Sequence, residues 1–194
     1  MSKAQQKWDQ RYLAKSQSLE SEPVAPEYLQ RQWRFLKTGR VLDLAAGDGA
    51  ASIFLAKQGF SPVATDISQV GLDRLSEAMT KLGLKVETAQ LDLEQESVNL
   101  SGLGLFDSIV ISRYKPADGL WEQLLALLKP EGTLLMTTFN LLQHERTGFS
   151  NRFCLRENEL LDHCAELALV DFESDRNQSG MDSYIFKKEP KKWI

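Results

Sequence analysis

The hydrophobic positions of this chain form short apolar runs separated by amphipathic stretches. Apolar runs of about four to eight residues are typical of buried strands, and apolar positions at helical spacing indicate helices between them. The runs predict seven strands, at residues 40–45, 61–66, 85–91, 106–112, 133–139, 169–174 and 181–187. Strands that alternate with helices form a parallel sheet joined by right-handed crossovers.

The helices predicted between these runs have recognisable ends. Ser68 is an N-cap for a helix over residues 68–82, and Gly83 stops it. A second helix follows Gly49 directly. A third, over residues 118–128, is ended by Lys129-Pro130, and a polar loop after the fifth strand leads to a helix near 157–166.

The two final strands are separated only by residues 175–180. A crossover helix needs more residues, so this pair is predicted to form an antiparallel hairpin. The predicted fold class is therefore α/β, a doubly wound seven-stranded sheet that is mostly parallel and has an antiparallel last strand. We predict one domain over residues 1–194, with an N-terminal helical cap over 1–37 and the α/β core over 38–194.

The composition narrows the class of protein. A chain of 194 residues with 42% hydrophobic and 26% charged residues is typical of a soluble globular domain. The net charge of −4 disfavours nucleic acid as a partner. No apolar run reaches the roughly 18 residues of a membrane span, and the polar start shows no signal peptide. We therefore expect a cytoplasmic protein that binds no membrane. Its oligomeric state cannot be predicted.

Cysteine and histidine give no sign of a metal site. The chain has two of each, Cys154 and Cys164 with His144 and His163, and their spacing matches no zinc motif. Cys164 lies in an apolar helical pattern, which indicates a small core residue. The lysine pairs at 187–188 and 191–192 are local and are interpreted as a solvated tail.

Polar residues stand at the carboxyl ends of the first four predicted strands, where open α/β sheets bind their ligands. They are Asp43 with the turn through Gly47 and Gly49, then Asp66, Asp92 and Arg113. The glycines permit positive φ and close approach of a ligand to the backbone. A carboxylate beside such a turn would repel a phosphate but can hold an ammonium or sugar hydroxyls. That chemistry fits S-adenosylmethionine better than a nucleotide phosphate.

Each of these residues also has a purely structural explanation. Asp43 can be a satisfied structural carboxylate, Asp66 can cap the next helix, and Asp92 can start a turn. Arg113 can be a surface residue at a strand end. Four such residues, each at the same end of its own strand, nevertheless favour a ligand site.

The chain resembles the class I S-adenosylmethionine-dependent methyltransferases, and within them the small tellurite-resistance-like group. Residues 41–49 are similar to the first motif of the family, with Ala45 where an early glycine often stands. Residues 128–132 resemble the turn before strand five, with Glu131 in place of one glycine. Residues 8–12 and 22–23 are similar to the N-terminal cap of the tellurite-resistance-like group, and residues 113–114 and 151–159 also resemble it.

The resemblance implies a set of cofactor-binding residues. The set is Asp43, Ala45, Gly47, Gly49, Asp66, Ile67, Asp92, Leu93, Arg113, Trp8, Arg11 and Tyr12. The glycine turn would hold the methionine end, the residues after strands two and three would flank the ribose and adenine, and Arg113 would face the methionine carboxylate or the substrate mouth. Trp8, Arg11 and Tyr12 share one helix face and could close over the cofactor, although plain packing is the alternative.

Methyl transfer from a sulfonium is an in-line displacement in which the cofactor supplies the activation. The protein mainly positions two reactants and excludes water, so a general base is optional. Candidates near the mouth are Tyr114, His144 and Asn151, all predicted on loops that follow strands four and five. His144 is the best of them as an acid or base. The acceptor is predicted to be a small molecule, and its reacting atom cannot be read from the sequence.

Two other functions stay open. An NAD(P)-dependent oxidoreductase is suggested because Gly47-x-Gly49-x-x-Ser52 nearly matches the dinucleotide fingerprint, with Asp66 at a suitable distance for ribose. Ser52 in place of the third glycine, Asp43 before the turn and the reversed hairpin count against it. A non-catalytic module that binds S-adenosylmethionine is the other.

Overall fold

A central sheet of seven strands organises the computed structural model, which describes residues 2–16, 22–175 and 180–190. The strands are β1 (Arg40–Leu44), β2 (Ser61–Asp66), β3 (Glu87–Gln90), β4 (Phe106–Ser112), β5 (Leu128–Phe139), β6 (Leu167–Asp175) and β7 (Met181–Lys188). Their spatial order is β3-β2-β1-β4-β5-β7-β6. Most of the predicted hairpin connection and the lysine pair 191–192 lie outside the described residues.

The pairing directions confirm the predicted fold class. β1 pairs in parallel with β2 and β4, and the parallel arrangement continues to β3 on one side and β5 on the other. β7 is antiparallel to both β5 and β6, so it is the reversed strand. The strand order changes direction between β1 and β4, which opens a crevice at their carboxyl ends.

Seven α-helices lie in the described ranges, beside the sheet or beyond its carboxyl ends. They are α1 (Lys3–Ser16), α2 (Glu27–Gln32), α3 (Ala50–Lys57), α4 (Gln69–Lys81), α5 (Trp121–Ala126), α6 (Leu141–Thr147) and α7 (Glu159–His163). One sheet face packs on α5 and α7 through Leu124 and Leu160, and the other packs on α2 and α3 through Leu29 and Leu55. None of the described helices combines the length and apolar character that crossing a membrane requires.

Several predicted boundaries were wrong. The polar loop predicted after the fifth strand contains α6, which begins because the side chain of Asn140 accepts a hydrogen bond from the Leu142 amide. α7 is much shorter than the helix predicted near 157–166, and β3 is shorter than residues 85–91. α5 ends at Ala126, and β5 begins at Leu128 rather than residue 133, because Leu128 pairs with Phe106 across an irregularity in β4.

Glu131 adopts a left-handed backbone conformation, with φ of 61°, at the position where the family motif has a glycine. Its side chain is exposed. This conformation costs a residue with a Cβ about 1–2 kcal/mol. Glu131→Gly is therefore expected to raise the free energy of unfolding by about 1 kcal/mol after allowance for the greater freedom of glycine in the unfolded chain, as measured by urea denaturation.

Glu131→Ala is the matched control for this stabilisation. It removes the same carboxylate but keeps a Cβ on the left-handed backbone, so no gain is expected. Equal stabilisation by alanine and glycine would show that the side chain, and not the backbone conformation, is responsible.

Candidate cofactor site at the glycine turn

The chain turns sharply after β1, and three residues of the turn have positive φ. The angles are 56° at Ala45, 61° at Gly47 and 82° at Gly49. The Gly49 amide donates to the Ala46 carbonyl over 2.9 Å, and the Ala46 amide donates to Thr65 over 2.8 Å, which ties the turn to β2. The left-handed φ of Ala45 explains why an early glycine suits this position.

Asp43 is the next-to-last residue of β1 and is fully buried, with 1% of its surface exposed. Its Oδ2 accepts hydrogen bonds from the Ser52 amide over 3.0 Å and from the Ser52 hydroxyl over 2.7 Å. Burial raises the pKa of Asp43 to about 7, and the two bonds from Ser52 oppose that shift. Asp43 thus joins the end of β1 to the first turn of α3, a contact that the sequence analysis missed.

Asp66 ends β2, and both of its oxygens bind backbone. Oδ2 accepts from the Gly47 amide and Oδ1 from the Ser68 amide, each over 2.8 Å. The side chain is buried, and desolvation raises its pKa while the bonds from Ser68 and Gly47 lower it. Ser68 is the N-cap of α4, as predicted, because its hydroxyl accepts from the Gly71 amide. Asp66 therefore fixes the glycine turn against the beginning of α4.

Gly71 is a second residue that the sequence analysis missed. A Cβ built on it would lie 2.8 Å from the Gly47 carbonyl oxygen, so α4 packs directly on the backbone of the glycine turn. A glycine inside a helix costs about 1 kcal/mol relative to alanine. That cost is the signal that could have singled out Gly71 as a position with a packing role.

Helix α1 lies across the glycine turn. Tyr12 is 8% exposed and packs against Gly47 closely enough that its hydroxyl would meet a Cβ there. At one end of the contact Asp9 accepts a hydrogen bond of 2.6 Å from the Ser68 hydroxyl, and at the other Lys15 pairs with Asp48 at 2.9 Å. A position of α1 away from the glycine turn would have excluded its role as a lid. In the structure α1 lies against the turn, so this role is not excluded.

The other two residues of the predicted helix face form a stack with Tyr12, in which Trp8 contacts Tyr12 and Arg11 contacts Trp8. Trp8 stacks on Tyr12 with ring centroids 6.1 Å apart, and the Arg11 guanidinium lies 5.0 Å from the Trp8 ring. Trp8 is half-buried, and Arg11 is exposed.

The residues after β2 and β3 line the neighbouring part of the crevice. Ile67 is half-buried, and its carbonyl accepts from the Gln90 side chain over 3.0 Å. Asp92 accepts a hydrogen bond from the Glu94 amide over 3.1 Å. This is the contact expected if Asp92 starts a turn, the structural role considered for it above. Leu93 is buried, with 6% exposed.

Tyr114, after β4, lies against the segment that follows β3. Its hydroxyl donates to Glu94 over 3.3 Å, and Glu94 also pairs with Arg152. Burial raises the pKa of Tyr114 to about 12, and the charge of Asp92 adds to the shift. Tyr114 is therefore protonated at neutral pH, where it can donate a hydrogen bond but cannot act as a base.

The other two candidate catalytic residues are not on open loops as predicted. His144 lies within α6, where its Nδ1 is 2.6 Å from the Phe149 carbonyl oxygen. Asn151 begins a short 3-10 turn, Asn151–Phe153. Both side chains are exposed. The prediction of loop positions for His144 and Asn151 was wrong because the polar sequence after β5 forms two short helical segments.

Comparison with known protein families agrees with a cofactor site at the glycine turn. Residues 41–132 match a family model described as a methyltransferase domain. This part of the chain is similar to methyltransferase domains. The match includes the glycine turn, the ends of β2, β3 and β4, and the sequence that leads into β5. The resemblance to class I methyltransferases that the motifs indicated is confirmed.

One relative by sequence is a putative methyltransferase, and two solved structures show the same fold. A putative methyltransferase of Bacillus subtilis, YqeM, is 35% identical over 108 residues, which cover 50% of this chain and only 41% of that protein. TehB from Haemophilus influenzae superposes with a TM-score of 0.71 at 16% identity, over 93% of this chain and 67% of that one. The magnesium protoporphyrin IX methyltransferase ChlM from Synechocystis was solved with bound SAH. It superposes with a TM-score of 0.70 at 12% identity, over 96% of this chain and 98% of that one.

Proposed function

We propose that this protein transfers a methyl group from S-adenosylmethionine to a small-molecule acceptor. The observation that carries the proposal is the match of residues 41–132 to the methyltransferase domain, because that range contains the glycine turn, Asp66, Asp92 and Arg113. The net charge of −4 supports a small acceptor rather than a nucleic acid. The cytoplasmic location stays a prediction.

The proposed cofactor contacts follow the order of the strands. The glycine turn holds the methionine end, and Asp66 takes the ribose hydroxyls while its backbone bonds keep it in place. Asp92 and Leu93 flank the adenine. Asp43 acts from behind the turn, since its Oδ2 accepts hydrogen bonds from the amide and the hydroxyl of Ser52. Tyr12 covers the turn from the side of α1.

When bound, S-adenosylmethionine supplies the activated methyl group as a sulfonium, and the protein supplies position and shelter from water. α1 contributes shelter, because Tyr12 is buried against the turn. Tyr114 can orient a polar group of the acceptor when its hydroxyl turns from Glu94 to donate to that group. A protein base is unnecessary for an acceptor that arrives anionic or soft.

The geometry disfavours the oxidoreductase alternative. A dinucleotide pyrophosphate is held by free amides at the beginning of the helix that follows the glycines. Here the Ser52 amide and hydroxyl are both bound to Asp43. Above about pH 7, where Asp43 is ionised, the same carboxylate would also place negative charge behind a bound pyrophosphate.

Calorimetric titration with S-adenosylmethionine, S-adenosylhomocysteine, NAD and NADP tests the cofactor. We expect micromolar affinity for the first two and no heat of binding with the nucleotides. Binding of NAD or NADP alone would contradict the proposal. Release of S-adenosylhomocysteine in the presence of any acceptor would eliminate the non-catalytic module, which also binds the cofactor but does not turn it over.

A further inference from the structure

Arg113 is the first residue after β4 and has an unusual conformation. Its φ is 55°, in the left-handed region that costs an arginine about 1–2 kcal/mol. The strain is held by a hydrogen bond of 2.8 Å from its amide to the Thr137 carbonyl in β5. Strained backbone of this kind concentrates at functional sites. Its side chain is exposed, and within the described ranges it has no acidic partner.

Each of the neighbouring cations has a carboxylate partner, but Lys115 and Arg156 share a single one and are only partly neutralised. Lys115 pairs with Glu159 at 2.5 Å, and Arg156 pairs with the same carboxylate at 3.3 Å. Arg152 pairs with Glu94. Arg113 therefore provides an uncompensated positive charge at the carboxyl end of β4, beside the proposed cofactor crevice.

The neighbouring strand, β5, carries an aromatic surface at its end. The Phe149 ring lies 4.8 Å from the ring of Phe139, the last residue of β5, and 6.2 Å from the ring of Phe153. Phe149 is 36% exposed. The segment that carries Phe153 is fixed next to β5, because the Leu155 amide donates to the Phe139 carbonyl over 2.8 Å.

Two buried hydroxyl groups at the same edge lack hydrogen-bond partners among the described residues. They belong to Ser112, the last residue of β4, and Thr138, next to the last residue of β5. A buried polar group without a partner costs about 1–3 kcal/mol. Ser112 pairs with Thr137, so Thr138 faces the opposite side of the sheet, and the two hydroxyls do not serve one ligand. The two strand ends thus provide a free charge and an exposed aromatic surface.

We propose that the methyl acceptor is a small organic anion with a flat apolar body, bound with its carboxylate on Arg113 and its apolar part on Phe149. The assignment rests on the proposed methyl transfer and names the substrate class of that site. A planar guanidinium binds a carboxylate through two parallel hydrogen bonds. The aromatic rings bind the apolar body.

The test uses two probes that differ only in charge, 3-phenylpropanoate and 3-phenylpropanamide. Each is titrated by ligand-observed NMR into protein saturated with S-adenosylhomocysteine. We expect the carboxylate to bind the wild type about tenfold more tightly than the amide, which is the effect of one charged hydrogen-bonding contact. In Arg113→Met the preference is expected to disappear. Phe149→Ala is expected to weaken both probes to the same degree.

Arg34→Met is the matched control, because Arg34 is an exposed arginine that stacks on Trp33 far along the chain from the site. It should keep the preference for the carboxylate. A wild type that binds both probes equally, or neither, would overturn the assignment, as would a preference that survives in Arg113→Met.

The affinity for S-adenosylhomocysteine distinguishes a failure of the acceptor assignment from a failure of the proposed methyl transfer. It is expected to stay within twofold of wild type in Arg113→Met. A tenfold loss would assign Arg113 to the methionine carboxylate of the cofactor and overturn its role toward the acceptor. Failure of the wild type to bind S-adenosylhomocysteine at all would overturn the proposed function first, and the acceptor assignment with it.

Discussion

Replacing Asp43 by asparagine is expected to remove a large pH dependence of stability. The free energy of unfolding of Asp43→Asn, minus that of the wild type, should rise between about pH 4 and 7 and level off above pH 7, where burial places the pKa of this carboxyl. The pKa shift from 3.8 to about 7 corresponds to an effect on the order of 4 kcal/mol. Urea denaturation across the pH range measures it.

The sign follows from the proton balance of folding. The folded pKa lies above the unfolded pKa, so between the two values the folded protein binds more protons at Asp43 than the unfolded chain does. The wild-type contribution from this group is therefore complete below about pH 4 and is lost as the pH rises toward 7. Asparagine cannot ionise, yet its side-chain oxygen can still accept the two hydrogen bonds from Ser52.

Asp107→Asn provides a control of opposite sign. Bonds from Lys129 and from the Arg40 amide lower the pKa of Asp107, although burial opposes them. The ionised form stabilises the fold, and this stabilisation is present above about pH 4 and lost in acid. Asp107→Asn should therefore be less stable than the wild type at neutral pH.

The Asp43 prediction would be contradicted if the difference in unfolding free energy between Asp43→Asn and the wild type did not change with pH. That result would show that Asp43 is ionised in the folded protein at neutral pH.

The sheet and its ligand-binding edge could be predicted because they depend on local patterns. Apolar runs and their spacing locate the strands, and the short connection between the last two strands specifies a hairpin. Asp43, Asp66 and Asp92 stand directly at strand ends, so parallel pairing brings them to one edge whatever the details of packing. The glycine turn was visible for the same reason.

Contacts between distant segments could not be predicted in the same way. The bond from Ser52 to Asp43 depends on how α3 packs against β1, and Gly71 contacts Gly47 only because α4 packs on the turn. α6 was missed because its cap depends on tertiary structure. The Asn140 side chain that begins the helix also donates to Asp182 of β7 over 2.9 Å.

Asp66→Asn is expected to weaken the binding of S-adenosylhomocysteine by about 1.5–3 kcal/mol, the effect of hydrogen bonds to a charged group. The carboxylate accepts from the Gly47 and Ser68 amides at the same time. An asparagine can accept from one of them, and its NH₂ group then faces the other donor. Calorimetry measures the loss, and Asp73→Asn, which removes an exposed carboxylate bound to Gln69 on the same helix, is expected to bind normally.

A cofactor analogue distinguishes a direct ribose contact from a disturbed turn. If Asp66 holds the ribose, 2′-deoxy-S-adenosylhomocysteine should bind the wild type more weakly than S-adenosylhomocysteine does, and Asp66→Asn should not discriminate between them. Both changes then remove the same hydrogen bond, so their effects are not additive. Additive losses would mean that Asp66 acts only by holding Gly47 and Ser68 in place. Unchanged affinity in Asp66→Asn would remove the residue from the cofactor site altogether. Its role would then be limited to binding the Gly47 and Ser68 amides.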